Sequence, residues 1–134
     1  MDEVPSRSVA PRRTKRGRLS RSAEFERVLR AGRSHGNRHF VLHAFPRDAK
    51  AGDRANGPRL GVSVSRRVGG AVDRNRVKRL LREAFRAEAP RLPAELDVVI
   101  VARPDALELA ERDGLAGVRA AIAELVDRAA GERA

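Results

Sequence analysis

The chain has 134 residues, of which 29 are Lys or Arg and 18 are Asp or Glu, for a net charge of +11 at neutral pH and a pI near 11.6. That length supports one domain with one modest core, and that charge selects a polyanionic partner, either nucleic acid or an anionic membrane surface. With no Cys, Trp or Tyr and only four Phe, disulfides and thiolate metal sites are excluded, and the bulky apolar residues of an interfacial membrane helix are too few.

Residues 1–17, MDEVPSRSVAPRRTKRG, hold two Pro and one Gly and show no periodicity. They read as a disordered basic arm ahead of a single domain over 18–130. The start has no apolar segment of signal-peptide type, and no apolar run is long enough to span a bilayer. Together with the absent Cys, this sets the expected location as the cytoplasm, with no membrane contact.

Ser22 is placed to cap a helix running through Ala23 to about Ala31, with Glu24 in its first turn and Gly32 as a stop. Phe25, Val28 and Leu29 share one face of it. His39–Phe45 alternates as a strand, Phe40, Leu42 and Ala44 against Val41, His43 and Phe45. Residues 46–58 form a polar Gly/Pro loop. Arg59–Ser65 alternates again, with Leu60, Val62 and Val64 inward. Its outward residues, Gly61, Ser63 and Ser65, are small and leave a shallow trough that a backbone can approach.

Arg66, Arg67 and Gly69-Gly70 precede a helix that runs to about Glu88, ended by Pro90 and Pro93. At about 100° per residue, Val77, Leu80, Leu81, Ala84 and Phe85 gather on one side of it. Asn75, Lys78, Arg79, Arg82 and Arg86 gather on the other, with Arg74 and Arg76 at the edges. The basic positions include a single acid, Glu83, so the ridge is not a self-neutralising lattice of ion pairs. A solvated charged face is the plain reading, and a polyphosphate-binding face is the functional one. The wider charge pattern favours the second: residues 1–103 carry 25 basic and 11 acidic side chains, residues 104–134 four and seven. Arg supplies 26 of the 29 cations, the rest being Lys15, Lys50 and Lys78, and its planar fork suits RNA.

Asp97–Val101 is an unbroken apolar run, expected as a strand buried on both faces. Leu115–Ala130 closes the chain as a helix with Val118, Ile122, Leu125 and Val126 inward. The expected fold class is α+β: a small α/β sandwich with helices packed on one sheet, in the order α-β-β-(β)-α-β-α.

Several features admit two readings. Gly69-Gly70 is either an anion site at a helix start or an ordinary turn. His35, His39 and His43 recur every four residues, but a four-residue step along one strand spans about 13 Å, too far for three imidazoles to close on one ion. His43 fits better as a stacking or hydrogen-bonding residue towards RNA. Phe25 is either core or a stacking platform for a base. No paired carboxylates, Ser/His/Asp set, phosphate loop or zinc pattern is present, so no catalytic and no metal-binding residue is assigned.

These segments, from about Arg18 to Ala129, resemble the protein component of bacterial ribonuclease P. The sharpest part is Arg74-Asn75-Arg76 followed by Val77-Lys78-Arg79-Leu80-Leu81-Arg82, which is similar to that family's RNR helix. Arg59–Gly69, Phe25, Asn37–Leu42 and Val99–Arg103 follow in the family's order. The resemblance implies a left-handed crossover between two parallel strands through the RNR helix, against the usual right-handed rule. It implies a protein subunit of an endonuclease that removes the 5′ leader from precursor tRNA. The catalyst there is the RNA subunit, using magnesium ions held mainly by that RNA. The protein binds the RNA subunit, contacts the leader of precursor tRNA and aids metal binding, with no obligate protein partner. Carried over by residue, Arg74, Asn75, Arg76, Lys78, Arg79 and Arg82, with Arg66 and Arg67 before them, face the RNA subunit. Phe25, Arg38, His43, Ser63 and Ser65 line the leader cleft. Leu29 stands where a second Phe is common in the family and His43 where an aromatic such as Tyr is common, so leader stacking here rests more on Phe25 and Arg.

A structural ribosomal protein would share the charge, size and basic arm. A helix-turn-helix regulator would need two adjacent helices joined by a short turn, whereas a strand precedes the basic helix and Pro90, Pro93 and another strand follow it. A protein-only nuclease would need the acid cluster that is missing.

Overall fold

Alternation of apolar side chains builds the sheet, and two amphipathic helices cover the face that the larger residues make. The computed structural model describes residues 18–19, 22–46 and 57–133. The basic arm assigned to 1–17 and most of the loop assigned to 46–58 lie outside the described residues. In chain order the elements are α1 (Ser22–Ala31), β1 (Arg33–Gly36), β2 (Phe40–Pro46), β3 (Arg59–Ser63), α2 (Ala71–Glu88), β4 (Leu96–Ala102) and α3 (Ala106–Arg133), with a short 3₁₀ turn at Ala89–Arg91. The expected α+β order is present with its third strand counted, although the strand that alternation did not locate, β1, precedes the two that it did.

The four strands form one sheet in the order β1-β2-β4-β3. β1 and β2 make an antiparallel hairpin, β2 pairs antiparallel with β4, and β3 runs parallel to β4. Helix α2 is therefore the crossover between the two parallel strands. Beyond β3, Arg18 bridges Leu60 in parallel, and the Leu19 N–H donates to the Leu60 carbonyl at 2.8 Å.

The main core lies on one face of the sheet, where Phe40, Leu42, Val98 and Ile100 meet Val77, Leu81 and Phe85 of α2 and Val118, Ile122 and Leu125 of α3. A smaller core of Leu19, Val28 and Val99 lies on the opposite face, under α1. β4 is buried on both faces, as its unbroken apolar run requires.

Several boundaries differ from the sequence expectation, and three of them have a visible cause. β3 ends at Ser63, because the chain turns at Ser65, whose carbonyl accepts the Val68 N–H at 3.0 Å. β2 begins at Phe40, because the Asn37 side-chain oxygen accepts the N–H groups of both His39 and Phe40 in a turn. The last helix begins at Ala106, nine residues before the expected Leu115. Gly114, at φ 59° and ψ −146°, breaks it into two consecutive helical pieces. Only glycine takes that conformation cheaply, and its presence hid the first piece from a search for one continuous period.

The three histidines do not share a strand face. His35 lies on β1 opposite Leu42, His39 in the turn, and His43 on β2 opposite Ser34. No group of three or more His, Asp or Glu side chains able to hold a metal ion occurs among the described residues.

Candidate nucleic-acid interface

Helix α2 buries Val77, Leu81, Ala84 and Phe85. That fixes the opposite side outward, with Asn75 and Arg79 exposed and Arg74, Lys78 and Arg82 half-buried. Leu80, expected inward, is half-buried at the margin of the core. Among the described residues Arg74, Lys78, Arg79 and Arg82 have no ion-pair partner, so no described acid compensates their charge. Arg76 is turned differently: its guanidinium donates to the Ala110 carbonyl of α3 at 3.3 Å. It therefore ties α2 to α3 and presents only part of its charge outward. Arg66 and Arg67 are exposed in the turn between β3 and α2, where the Arg67 N–H donates to Ser65 Oγ at 3.3 Å.

Burial lowers the pKa of the Arg82 guanidinium, and repulsion from Arg18 adds to the shift. Arg18 and Arg82 border one cleft of about 320 Å³ together with Arg79 and Arg86. Arg18 was not singled out from the sequence, since the segment around it has no periodicity to place it. The β-bridge to Leu60 brings it to α2.

The opposite face of the sheet carries the second set of candidates. Register places Ser34, His43, Val99 and Gly61 in one transverse row, and Gly36, Val41, Val101 and Ser63 in the next. Helix α1 covers part of this face. Val99 is fully buried, whereas Val41 and Val101 are half-buried. The second row is thus a shallow trough beside α1.

Phe25 forms its wall. A Cβ built on Gly61 would sit 2.6 Å from Phe25 Cε2, so the ring occupies the space a side chain at 61 would need. The gap expected over Gly61 is filled by this ring. Phe25 is itself half-buried against Leu19, Val28 and Val99, so it has a packed edge and an open edge. Leu29, on the same helix, is 38% exposed.

The position of α1 rests on a charged anchor. Arg59 of β3 donates two hydrogen bonds of 2.9 Å to the two oxygens of Asp97 on β4, and approaches Glu24 of α1 at 3.3 Å. Asp97 is 2% exposed, and its bidentate bond with Arg59 raises the guanidinium pKa above its ordinary value.

His43 and Ser63 therefore share the trough face with Phe25. Burial lowers the His43 pKa, which favours the neutral imidazole. Ser65 lies just past the end of β3 and is exposed. Arg38 stands apart: it projects from the β1–β2 turn, where its Nε meets Asp105 at 3.1 Å ahead of α3. A cation not singled out from the sequence takes the neighbouring place. The Arg103 guanidinium lies over Gly36, 3.1 Å from where a Cβ would be, at the end of the trough row. Its position one residue beyond β4 gave no periodic signal.

The family model for ribonuclease P matches residues 14–128. The chain belongs to the ribonuclease P protein family. The ribonuclease P protein component of Bacillus pumilus is 43% identical over 95 residues, covering 71% of this chain and 76% of that protein. That of Desulfovibrio desulfuricans is 47% identical over 93 residues, covering 69% and 68%. Among solved structures, the Staphylococcus aureus ribonuclease P protein aligns with a TM-score of 0.72 at 30% identity, over 86% of this chain and 96% of that one. The Thermotoga maritima ribonuclease P protein in complex with a fluorophenyl thiourea aligns at 0.71 and 31% identity, over 83% and 98%. A ribonuclease P protein is part of an RNA-based endoribonuclease of tRNA processing, and the ribosomal-protein alternative is not favoured.

Proposed function

We propose that this ribonuclease P protein binds the RNA subunit through the outer face of α2 and the turn before it, and the 5′ leader of precursor tRNA through the trough beside α1. The RNA subunit performs the cleavage. The observation that carries the reading is the pair of distinct surfaces on opposite faces of one sheet. One is a ridge of cations without an ion-pair partner among the described residues, Arg74, Lys78, Arg79 and Arg82, with Asn75 among them and Arg66, Arg67 and part of Arg76 alongside. The other is a narrow trough with an aromatic wall at Phe25, a neutral His43 and small hydroxyls at Ser63 and Ser65. A ridge of Arg suits the phosphates of a folded RNA. A trough with one exposed ring edge suits a single strand whose bases are unstacked. Arg103 flanks the trough as a phosphate contact, and Arg38, held by Asp105 at the β1–β2 turn, extends that contact away from it.

The chain's own residues then bind, orient and neutralise. Holding substrate and catalyst together supplies the entropic part of the rate enhancement. Magnesium, which polarises the scissile phosphate and activates water in such hydrolysis, is held by RNA phosphates on this reading. The described residues bring together no cluster of donors that fits the ion. The protein aids metal binding indirectly, because its cations relieve repulsion between the two RNAs. The same reading sets the location as the cytoplasm and requires no second protein.

The test is binding of the purified full chain to a ribonuclease P RNA subunit and, separately, to ribosomal RNA of matched length at the same salt. Preference for the ribonuclease P RNA supports the proposal. Equal binding would reduce the ridge to a nonspecific polycation.

A further inference from the structure

The cleft between α2 and the edge of β3 has two chemistries. Its outer lining is Arg18, Arg79, Arg82 and Arg86, and its inner lining includes Leu60, Phe85 and Ala89. Leu60 and Phe85 are buried, while Arg18, Arg79 and Arg86 are exposed, so the apolar groups form a floor and the guanidiniums a rim. The lining has one acid, Glu83, whose carboxylate is 4.0 Å from Arg86. Arg18, Arg79 and Arg82 have no ion-pair partner among the described residues. Burial and the charge of Arg18 both disfavour the Arg82 cation, yet a guanidinium remains protonated at neutral pH. Such an arrangement is relieved by an anion between the two Arg residues. A cleft of about 320 Å³ is at the small end of ligand pockets, roughly 300–1,000 Å³. It is too small for a duplex, while a plain phosphate would leave the apolar floor wet.

We propose that this cleft holds one unpaired nucleotide of the RNA partner, its phosphate on Arg18, Arg79, Arg82 and Arg86 and its base against Leu60, Phe85 and Ala89. The inference rests on the reading of α2 as an RNA-binding face and makes it specific. The outer ridge tracks backbone phosphates and carries no base preference. The cleft, by contrast, admits a nucleotide only where the RNA is single-stranded and a base is free to turn out. It would therefore set the register of the protein on its RNA. The Arg18–Leu60 bridge becomes part of the site, because it carries one of the four guanidiniums to the rim.

The experiment is calorimetric titration of the full chain with adenosine and uridine 5′-monophosphate, ribose 5-phosphate and inorganic phosphate. At least one nucleotide should bind about tenfold tighter than ribose 5-phosphate, the scale of one base contact. Arg82→Gln should weaken all four ligands, and Arg18→Gln, which alters no core residue, should do the same. Ala89→Leu, which fills the floor without touching a charge, should bring the nucleotide down to the ribose 5-phosphate level and leave the latter unchanged. Equal affinity for nucleotide, ribose 5-phosphate and inorganic phosphate would overturn the proposal and leave a plain anion patch. A nucleotide preference that survives Ala89→Leu would overturn it too, by placing the base elsewhere. Arg74→Ala with Lys78→Ala alters the ridge outside the cleft. If that pair loses RNA-subunit affinity while the free chain shows no nucleotide preference, the ridge stands and the cleft falls. If nucleotide preference is present but the pair binds the RNA subunit normally, the cleft stands and the ridge falls.

Discussion

Replacing Lys78, Arg79 and Arg82 together by Ala isolates the electrostatic contribution of the α2 face. All three point away from the buried stripe of Val77, Leu81, Ala84 and Phe85, and none has an ion-pair partner among the described residues. Ala is the best helix former, so local propensity is kept. Loss of the packed Arg82 stem is offset by relief of its repulsion with Arg18. Stability should therefore change by less than about 1 kcal/mol. Binding should change far more. Each phosphate contact contributes about 0.7–0.9 to the slope of log affinity against log salt. Three lost contacts flatten the slope by about 2.1–2.7. Across a fourfold rise in salt, from about 50 to 200 mM, the parent chain should lose about 20- to 40-fold more affinity for the RNA subunit than the variant. The assay is filter binding or fluorescence anisotropy at four salt concentrations, beside thermal unfolding of both proteins. Identical slopes in two folded proteins would refute the reasoning and return this face to a solvated surface.

Phe25→Ala should lower stability by about 2 kcal/mol, less than a fully buried Phe because one edge is already open, and should weaken binding of leader-bearing precursor tRNA by about 1–3 kcal/mol. Equal weakening for leaderless tRNA would assign the ring to the core alone. Gly61→Ala, whose Cβ would lie 2.6 Å from that ring, should push Phe25 out of place and reproduce the loss of leader preference; unaltered preference would show that the ring position does not matter. Arg59→Ala removes the bidentate partner of Asp97 and should cost about 3–5 kcal/mol in urea unfolding, with much of it recovered in the double variant that also carries Asp97→Asn. No recovery would mean that the anchor acts through packing. Because burial lowers the folded-state pKa of His43 from 6.5, the unfolded chain takes up this proton first as pH falls. Stability should therefore be full above about pH 7 and decline as pH drops through the mid-6 range. His43→Gln should flatten that decline, and an unchanged pH profile would contradict the assignment.

Periodicity made most of the fold legible. The 3.6-residue stripe of α2 and the strict alternation of β2 each name the buried face, because both elements are long enough to repeat their pattern. β1 escaped, since four residues with one half-buried His carry no alternation to read. Gly114 concealed the first part of α3 by interrupting its period. For the site, Lys78, Arg79 and Arg82 follow from the wheel alone, since burying one side fixes the other. Arg76 shows the limit of that reasoning: at the margin of the wheel it is long enough to reach the Ala110 carbonyl. Arg18 and Arg103 are brought to their surfaces by sheet register, which depends on strands far apart in sequence. The packing of Phe25 on Gly61 is a contact of the same kind, although the run of small residues on β3 pointed to a close approach there.

As the protein half of an RNA-catalysed leader removal, this chain would bind and position while the RNA cleaves. The direct measurement is 5′ cleavage of precursor tRNA by the protein alone, by a ribonuclease P RNA alone, and by the two together, at a magnesium concentration where the RNA alone is slow. That division of labour requires no cleavage by the protein at any magnesium concentration, slow cleavage by the RNA, and a marked increase when the protein is added. Robust cleavage by RNA-free protein, or an RNA rate that the protein leaves unchanged, would contradict it.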